Sequence, residues 1–92
     1  MAGEVVHEGM RYPIWQDLDE VVERKPEFQY YGDPFKTTDP ADSPEAALKL
    51  AMAAVDDWVN ANPDGSVGAV AGILDLGDGR YAGVYQEHSS PT

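Results

Sequence analysis

Ser43-Pro-Glu-Ala-Ala-Leu-Lys-Leu-Ala-Met-Ala-Ala-Val-Asp-Asp-Trp-Val-Asn60 is the stretch that decides the fold. Ser43 is an N-cap whose hydroxyl can accept from a first-turn N–H. Pro44 stands at the first helical position, where its missing donor costs nothing, and Glu45 faces the positive end of the helix dipole. Strong helix formers follow, with Glu45 and Lys49 four apart in the favourable order.

Ala47, Leu48, Leu50, Ala51, Met52, Ala54, Val55, Trp58 and Val59 fall on one arc of this helix. The arc spans roughly 200°, wider than a one-sided surface helix needs, so cover on more than one side is expected. A sheet under one flank and the N-terminal segment against the other would supply it. Asn60-Ala61-Asn62-Pro63-Asp64-Gly65 ends the helix, since Pro63 pushes Asn62 out of the helical region and Asp64-Gly65 is a turn pair.

Downstream, Val67 to Leu76 and Arg80 to Glu87 read as two strands of a hairpin closed by Gly77-Asp78-Gly79, with Asp78-Gly79 a favoured type I′ pair. A two-residue loop puts Val70, Gly72, Leu74 and Leu76 on one face with Tyr81, Gly83 and Tyr85. Ala69, Ala71, Ile73 and Asp75 then share the other with Arg80, Ala82, Val84 and Gln86. A one-residue change in the loop would exchange the partnerships. Gly68, Gly72 and Gly83 make sense under a bulky group such as Trp58 or Tyr85. The second face is either covered by the N-terminal segment or left as a partner or dimer surface. Residues 88–92 read as a polar tail.

Upstream, residues 3–15 alternate loosely as a short edge strand or arm, with Pro13 favouring an edge. A short helix is expected over about 16–25, acids early, Arg24 and Lys25 late, Pro26 after. Glu27–Tyr31 reads as a strand, and residues 33–42 as a polar loop stiffened by Pro34 and Pro40. Loops of that length are often functional. The fold class is α+β: one small domain over residues 1–92, an antiparallel sheet of three to four strands, one long helix packed across it and a short N-terminal helix.

The chain of 92 residues carries six Lys and Arg against seventeen Asp and Glu, a net charge of −11. That charge disfavours direct binding to nucleic acid or anionic lipid and steers the protein towards basic surfaces. Acidity also serves solubility alone. There is no cysteine, so thiol nucleophiles, disulfides and cysteine-ligated metals are excluded. No apolar run has the length of a membrane span, and the N-terminus lacks the pattern of a signal peptide. A cytoplasmic protein with no membrane association is the expectation.

No catalytic, metal or cofactor residue is assigned. Asn60 to Val67 imitates the start of a calcium loop, but the twelfth position is Ala71 instead of a bidentate Glu, and a strand follows. Gly77 to Gly83 lacks the helix a dinucleotide motif needs. His7 and His88 sit near opposite chain ends, and Ser89 and Ser90 have no base nearby in sequence. No carboxylate pair shows the apolar isolation that acid–base work needs.

What remains is the acidic, aromatic first half: eleven of the seventeen acids lie in residues 1–45, among Tyr12, Trp15, Phe28, Tyr30, Tyr31 and Phe35. Tyrosine and tryptophan anchor interfaces, and they also build cores. The candidate partner-binding residues are Asp17, Asp19, Glu20, Glu23, Tyr30, Tyr31, Asp33, Phe35, Asp39 and Asp42. The function expected is a non-enzymatic inhibitor of a nucleic-acid-binding enzyme or complex, of the phage counter-defence kind (anti-CRISPR or anti-restriction). Its carboxylates would occupy the partner's basic site. An immunity protein or antitoxin against a basic toxin is the alternative, and a structural subunit forming a homodimer through the hairpin face is the alternative of another class.

Overall fold

In the computed structural model, which describes residues 3–24, 34–62 and 66–89, the long helix begins where its cap predicts. Ser43 is in extended backbone and its Oγ accepts from the Ala46 N–H at 3.1 Å. The helix, α2, runs Pro44–Ala61. Asn62 ends it by donating both its backbone N–H and its side-chain Nδ2 to the Trp58 carbonyl, each at 3.0 Å. The other elements are β1 (Glu4–His7), β2 (Met10–Trp15), α1 (Leu18–Arg24), β3 (Lys36–Thr37), β4 (Ser66–Gly77) and β5 (Arg80–Ser89). The class is α+β, and the strands form one five-stranded sheet in the order β1-β2-β4-β5-β3.

Several details differ from the sequence expectation. Among the described residues the sheet has five strands, against the three to four expected, and it is mixed: β2 pairs parallel to β4 through Ile14–Ile73 and Trp15–Leu74. Residues 3–15 are a hairpin, not a single strand. Glu8 and Gly9 both take positive φ, 52° and 81°, as a type I′ turn requires. Pro13 is not on an edge strand. It sits one residue before the parallel pairing starts at Ile14, so its missing donor lies just outside that ladder. The short helix begins at Leu18, because Asp17 is its cap: Asp17 Oδ1 accepts from the Glu20 N–H at 2.8 Å. Lys25, its expected last residue, lies outside the described residues. Lys36–Thr37 turns part of the expected loop into an edge strand, and the final strand reaches into the expected tail through Ser89. The strand expected over Glu27–Tyr31 lies outside the described residues.

The β4–β5 turn is the expected one, with Asp78 at φ 55° and Gly79 at φ 72°. Its consequences for the faces are not, because β4 carries two register shifts. One, between Asp75 and Gly77, sets Asp75 opposite Tyr81 and Ile73 opposite Gly83; the other, between Val70 and Gly72, restores Val70 to Tyr85 and Ala69 to Gln86. Each bulge inserts one residue and inverts the alternation beyond it. Between them, Ile73 and Leu74 therefore exchange the faces that a plain two-residue hairpin would give them.

The sheet is covered on both faces. On one, Val5, Ala47, Leu48 and Ile73 form a buried cluster with Tyr12, Ile14, Met52, Val70 and Tyr81 packed against it. On the other, Trp15, Val21, Ala71 and Val84 are joined by Leu18, Phe35 and Leu74. The N-terminal segment thus covers the second hairpin face through α1, whereas β1 and β2 extend the sheet beneath α2. The buried strip of α2 is narrower than its apolar arc: Ala47, Leu48 and Ala51 are buried, but Leu50 is 42% and Val59 37% exposed.

The glycines also face groups other than Trp58 and Tyr85. A Cβ on Gly83 would lie 2.5 Å from the Ala51 Cβ, and one on Gly72 would lie 2.6 Å from the Trp15 Nε1. Gly83 lets α2 approach the sheet. Gly72, at φ 140°, both turns the bulge and admits the indole, whose Nε1 donates to the Ala71 carbonyl at 3.1 Å. Trp58 is only partly buried, with its Nε1 screened from solvent and unbonded.

Candidate functional site

The parallel pairing of β2 with β4 gathers three connections at one end of the sheet. Chain leaving β2 at Trp15 enters α1 through Gln16 and Asp17, beside the C-terminal half of β4 and the β4–β5 turn. The third connection arrives from β3. Thr38 is held to Gly83 by Thr38 N–H to the Gly83 carbonyl at 3.0 Å and Gly83 N–H to Thr38 Oγ1 at 2.8 Å. Ala41 then exchanges two backbone hydrogen bonds with Tyr81, at 2.7 and 2.9 Å, and α2 starts immediately after. Both helices therefore begin at the end where β4 turns into β5.

Carboxylates crowd this end. Asp17 and Asp19 come from the start of α1, Asp39, Asp42 and Glu45 from the approach to α2, and Asp75 and Asp78 from the β4–β5 turn. Arg80, the first residue of β5, follows the turn. All of these acids are exposed except Asp75, which is half-buried. Each also has a local reason to be there. Asp17 caps α1. Asp19 and Glu45 lie in first turns, where the dipole favours them. Asp75 Oδ1 accepts from the Gly77 N–H at 2.9 Å and closes the bulge, and Asp78 tolerates the left-handed conformation of the turn. The topology adds what local structure does not require, namely that three separately specified acidic connections share one solvent-facing end.

The candidate residues named from sequence divide accordingly. Asp17, Asp19, Asp39 and Asp42 are at this end and exposed. Glu20, in the first turn of α1 with Asp19, is half-buried, its Oε1 accepting from the Gln16 N–H at 3.4 Å. Glu23 is exposed further along α1. Phe35 packs against the Trp15–Val84 cluster. Tyr30, Tyr31 and Asp33 lie outside the described residues. Sequence reasoning left out Glu45, Asp75 and Asp78. They read as cap and turn residues; the pairing of β2 with β4 brings Asp75 and Asp78 to the end where α1 starts, and the Ala41–Tyr81 bridge brings Glu45 to that end.

Among the described residues, no group of three or more His, Asp or Glu is placed to hold a metal ion. Asn60 and Asn62 of the calcium-like stretch finish α2, and Asn62 is committed to the Trp58 carbonyl. His7 on β1 and His88 on β5 are separated by two intervening strands. No helix among the described residues is long and apolar enough to cross a membrane. Comparison with protein-family models, with curated proteins and with solved structures gave no match.

Proposed function

We propose that this chain is a non-enzymatic binding protein whose acidic end docks onto a basic surface. Its most concrete form is an inhibitor of a nucleic-acid-handling enzyme or complex, a counter-defence protein whose carboxylates take the place of phosphates. The observation that carries the reading is the delivery of Asp17, Asp19, Asp39, Asp42, Glu45, Asp75 and Asp78 to one end by three separate connections. In a chain of net charge −11, that end presents a focused negative field, which steers association with a positive partner.

The test is capture of the partner from the native host, followed by salt titration and competition with duplex DNA and RNA. Binding is expected to weaken steeply with salt and to be competed by nucleic acid. A charge-neutral triple variant, Asp17→Asn, Asp42→Asn and Asp78→Asn, sharpens it, because asparagine keeps the cap and turn conformations. Each neutralisation should weaken binding by up to about fivefold at low salt, on the order of 1 kcal/mol, with folding stability unchanged. Salt-insensitive binding to a partner with no nucleic-acid site would sink the phosphate-mimic reading. A basic toxin as the captured partner would replace it with the immunity-protein reading.

A further inference from the structure

The two edges of the sheet are unequal. At one edge, β3 is two residues long, flanked by Pro34 and Pro40, and carries Lys36 in an ion pair with Glu87. Shortness, proline and lysine are the devices that blunt an edge against a further strand. At the other edge, β1 is Glu4-Val5-Val6-His7, with neither proline nor lysine.

The hydrogen-bond phase of β1 follows from two observations. The Ile14 N–H donates to the Gly3 carbonyl at 2.9 Å, and the register pairs Val5 with Tyr12 and His7 with Met10. In an antiparallel ladder, bonded and non-bonded pairs alternate. Gly3, Val5 and His7 therefore turn their backbone groups inward to β2, and Glu4 and Val6 turn theirs outward. Val5 is buried in the cluster beneath α2, so the side chains of Glu4 and Val6 lie on the opposite face. Val6 is 61% exposed, and Glu8 at the turn beyond it has an 86% exposed side chain. The side chains on this face of the strand are thus Glu4 and Val6, and Glu8 follows on the turn at φ 52°, with its Oε1 4.0 Å from His7 Nε2. Arg11 holds Glu4 Oε1 at 3.3 Å from the β2 side in an exposed pair, an arrangement that contributes little.

We propose that β1 accepts an extended basic segment of another protein by strand addition. The segment pairs antiparallel through the outward groups of Glu4 and Val6 and places an aliphatic side chain against Val6. A basic side chain two positions to one side faces Glu4, and one at the other end lies beyond the strand, within reach of the exposed Glu8 carboxylate on the turn. Main-chain hydrogen bonds hold such a strand and its alternate side chains set specificity. Charge selects this occupant over a second copy, because a β1–β1 pair brings together two chains of net charge −11 with no added cation at the seam. The proposal goes beyond the role given to the acidic end and does not depend on it.

The probe is the fluorescein-labelled peptide Gly-Lys-Thr-Val-Thr-Lys-Gly, titrated with the full chain and followed by anisotropy and by amide chemical shifts. Saturable binding is expected, with the largest shifts at Glu4 and Val6, and a peptide carrying glutamates for the lysines should bind about tenfold more weakly or worse. Val6→Pro removes an outward N–H that the β1–β2 ladder does not use, so affinity should fall about tenfold with the thermal midpoint retained. Val6→Lys keeps the N–H but sets a cation against the peptide, and should weaken binding even if the proline variant misfolds. The triple asparagine variant should bind the peptide as the parent does. The proposal is overturned by absence of saturable binding up to about 1 mM, by affinity indifferent to both Val6 variants, or by shifts confined to residues 38–45 and 75–80. It is equally overturned if sedimentation shows a dimer of the chain alone that Val6→Pro dissociates, since a second copy then holds the edge.

Discussion

The two faces of the sheet differ in where their large side chains come from. Beneath α2 small groups set the approach: Ala47 and Ala51 lie on Gly83, and Val55 lies on Gly68, where an added Cβ would come within 2.9 Å of Val55 Cγ1, while Leu48 of the helix and Ile73 of the sheet are buried together. Helix and strands approach closely, and many modest contacts accumulate along 18 residues. Beneath α1 the helix has seven residues and one fully buried side chain, Val21. There the bulk comes from a strand residue, Trp15, 2% exposed and pinned by its hydrogen bond to Ala71. The long helix brings its own large buried side chain, Leu48, along with its small ones; the short one relies on a larger anchor supplied from the strand before it.

The largest effect should therefore come from the anchor. Trp15→Ala is expected to cost about 4 kcal/mol, a large share of what a domain of this size has to lose. Trp15→Phe keeps most of the apolar volume but leaves the Ala71 carbonyl without its donor, at about 1–2 kcal/mol. Urea unfolding of both variants measures the difference. A Trp15→Ala cost below about 1 kcal/mol would show that the face stands without its anchor.

On the other face the corresponding perturbation adds an atom. Gly83→Ala drives a Cβ against Ala51 and the helix backbone, so α2 must lift. The expected cost is about 1–3 kcal/mol. Ala51→Gly in the same chain removes one of the two clashing atoms, at about 1 kcal/mol of helix propensity. The double-mutant cycle should therefore show favourable coupling between the two positions. Additive costs would mean that the sheet, not the helix, yields.

Legibility in the sequence followed the range of the interaction. The Ser43 cap, the Pro44 start, the Asn62 stop and the Asp78-Gly79 turn are each settled within a few residues, and all stand as read. The β1–β2 turn was hidden because Glu8, an unusual residue at positive φ, occupies the place where asparagine or glycine would announce a type I′ turn. The bulges were hidden because the glycines at them read otherwise, Gly72 as room for a bulky group and Gly77 as part of the hairpin turn. Gly72 was noticed, but its reason is an indole supplied from 57 positions away in chain order. The acids of the candidate site were visible one by one. Their convergence was not, because it rests on a parallel pair, β2 with β4, whose partners are separated by both helices.

The smallest effects compare the two caps. Ser43 and Asp17 make the same kind of bond, to the Ala46 N–H at 3.1 Å and the Glu20 N–H at 2.8 Å. By bond geometry alone Asp17 should matter at least as much, but uncapping costs no more than the local fraying that can relieve it. The first turns of α2 carry Ala47 and Leu48, both buried, so they cannot fray without opening the core. Ser43→Ala should then show its full cost, about 1 kcal/mol. At the position matching Ala47, α1 carries Val21, but that is its one fully buried side chain, whereas α2 continues with Leu48 and Ala51, so less core opens when the start of α1 loosens. Asp17→Ala should register only about 0.5 kcal/mol in global unfolding. Its loss should appear instead as faster amide exchange at Glu20, with exchange at Ala46 unchanged. Were Asp17→Ala to cost more than Ser43→Ala in urea, α1 would be bound into the cooperative core as firmly as α2, and the anchor at Trp15 would be holding a helix as well as a face.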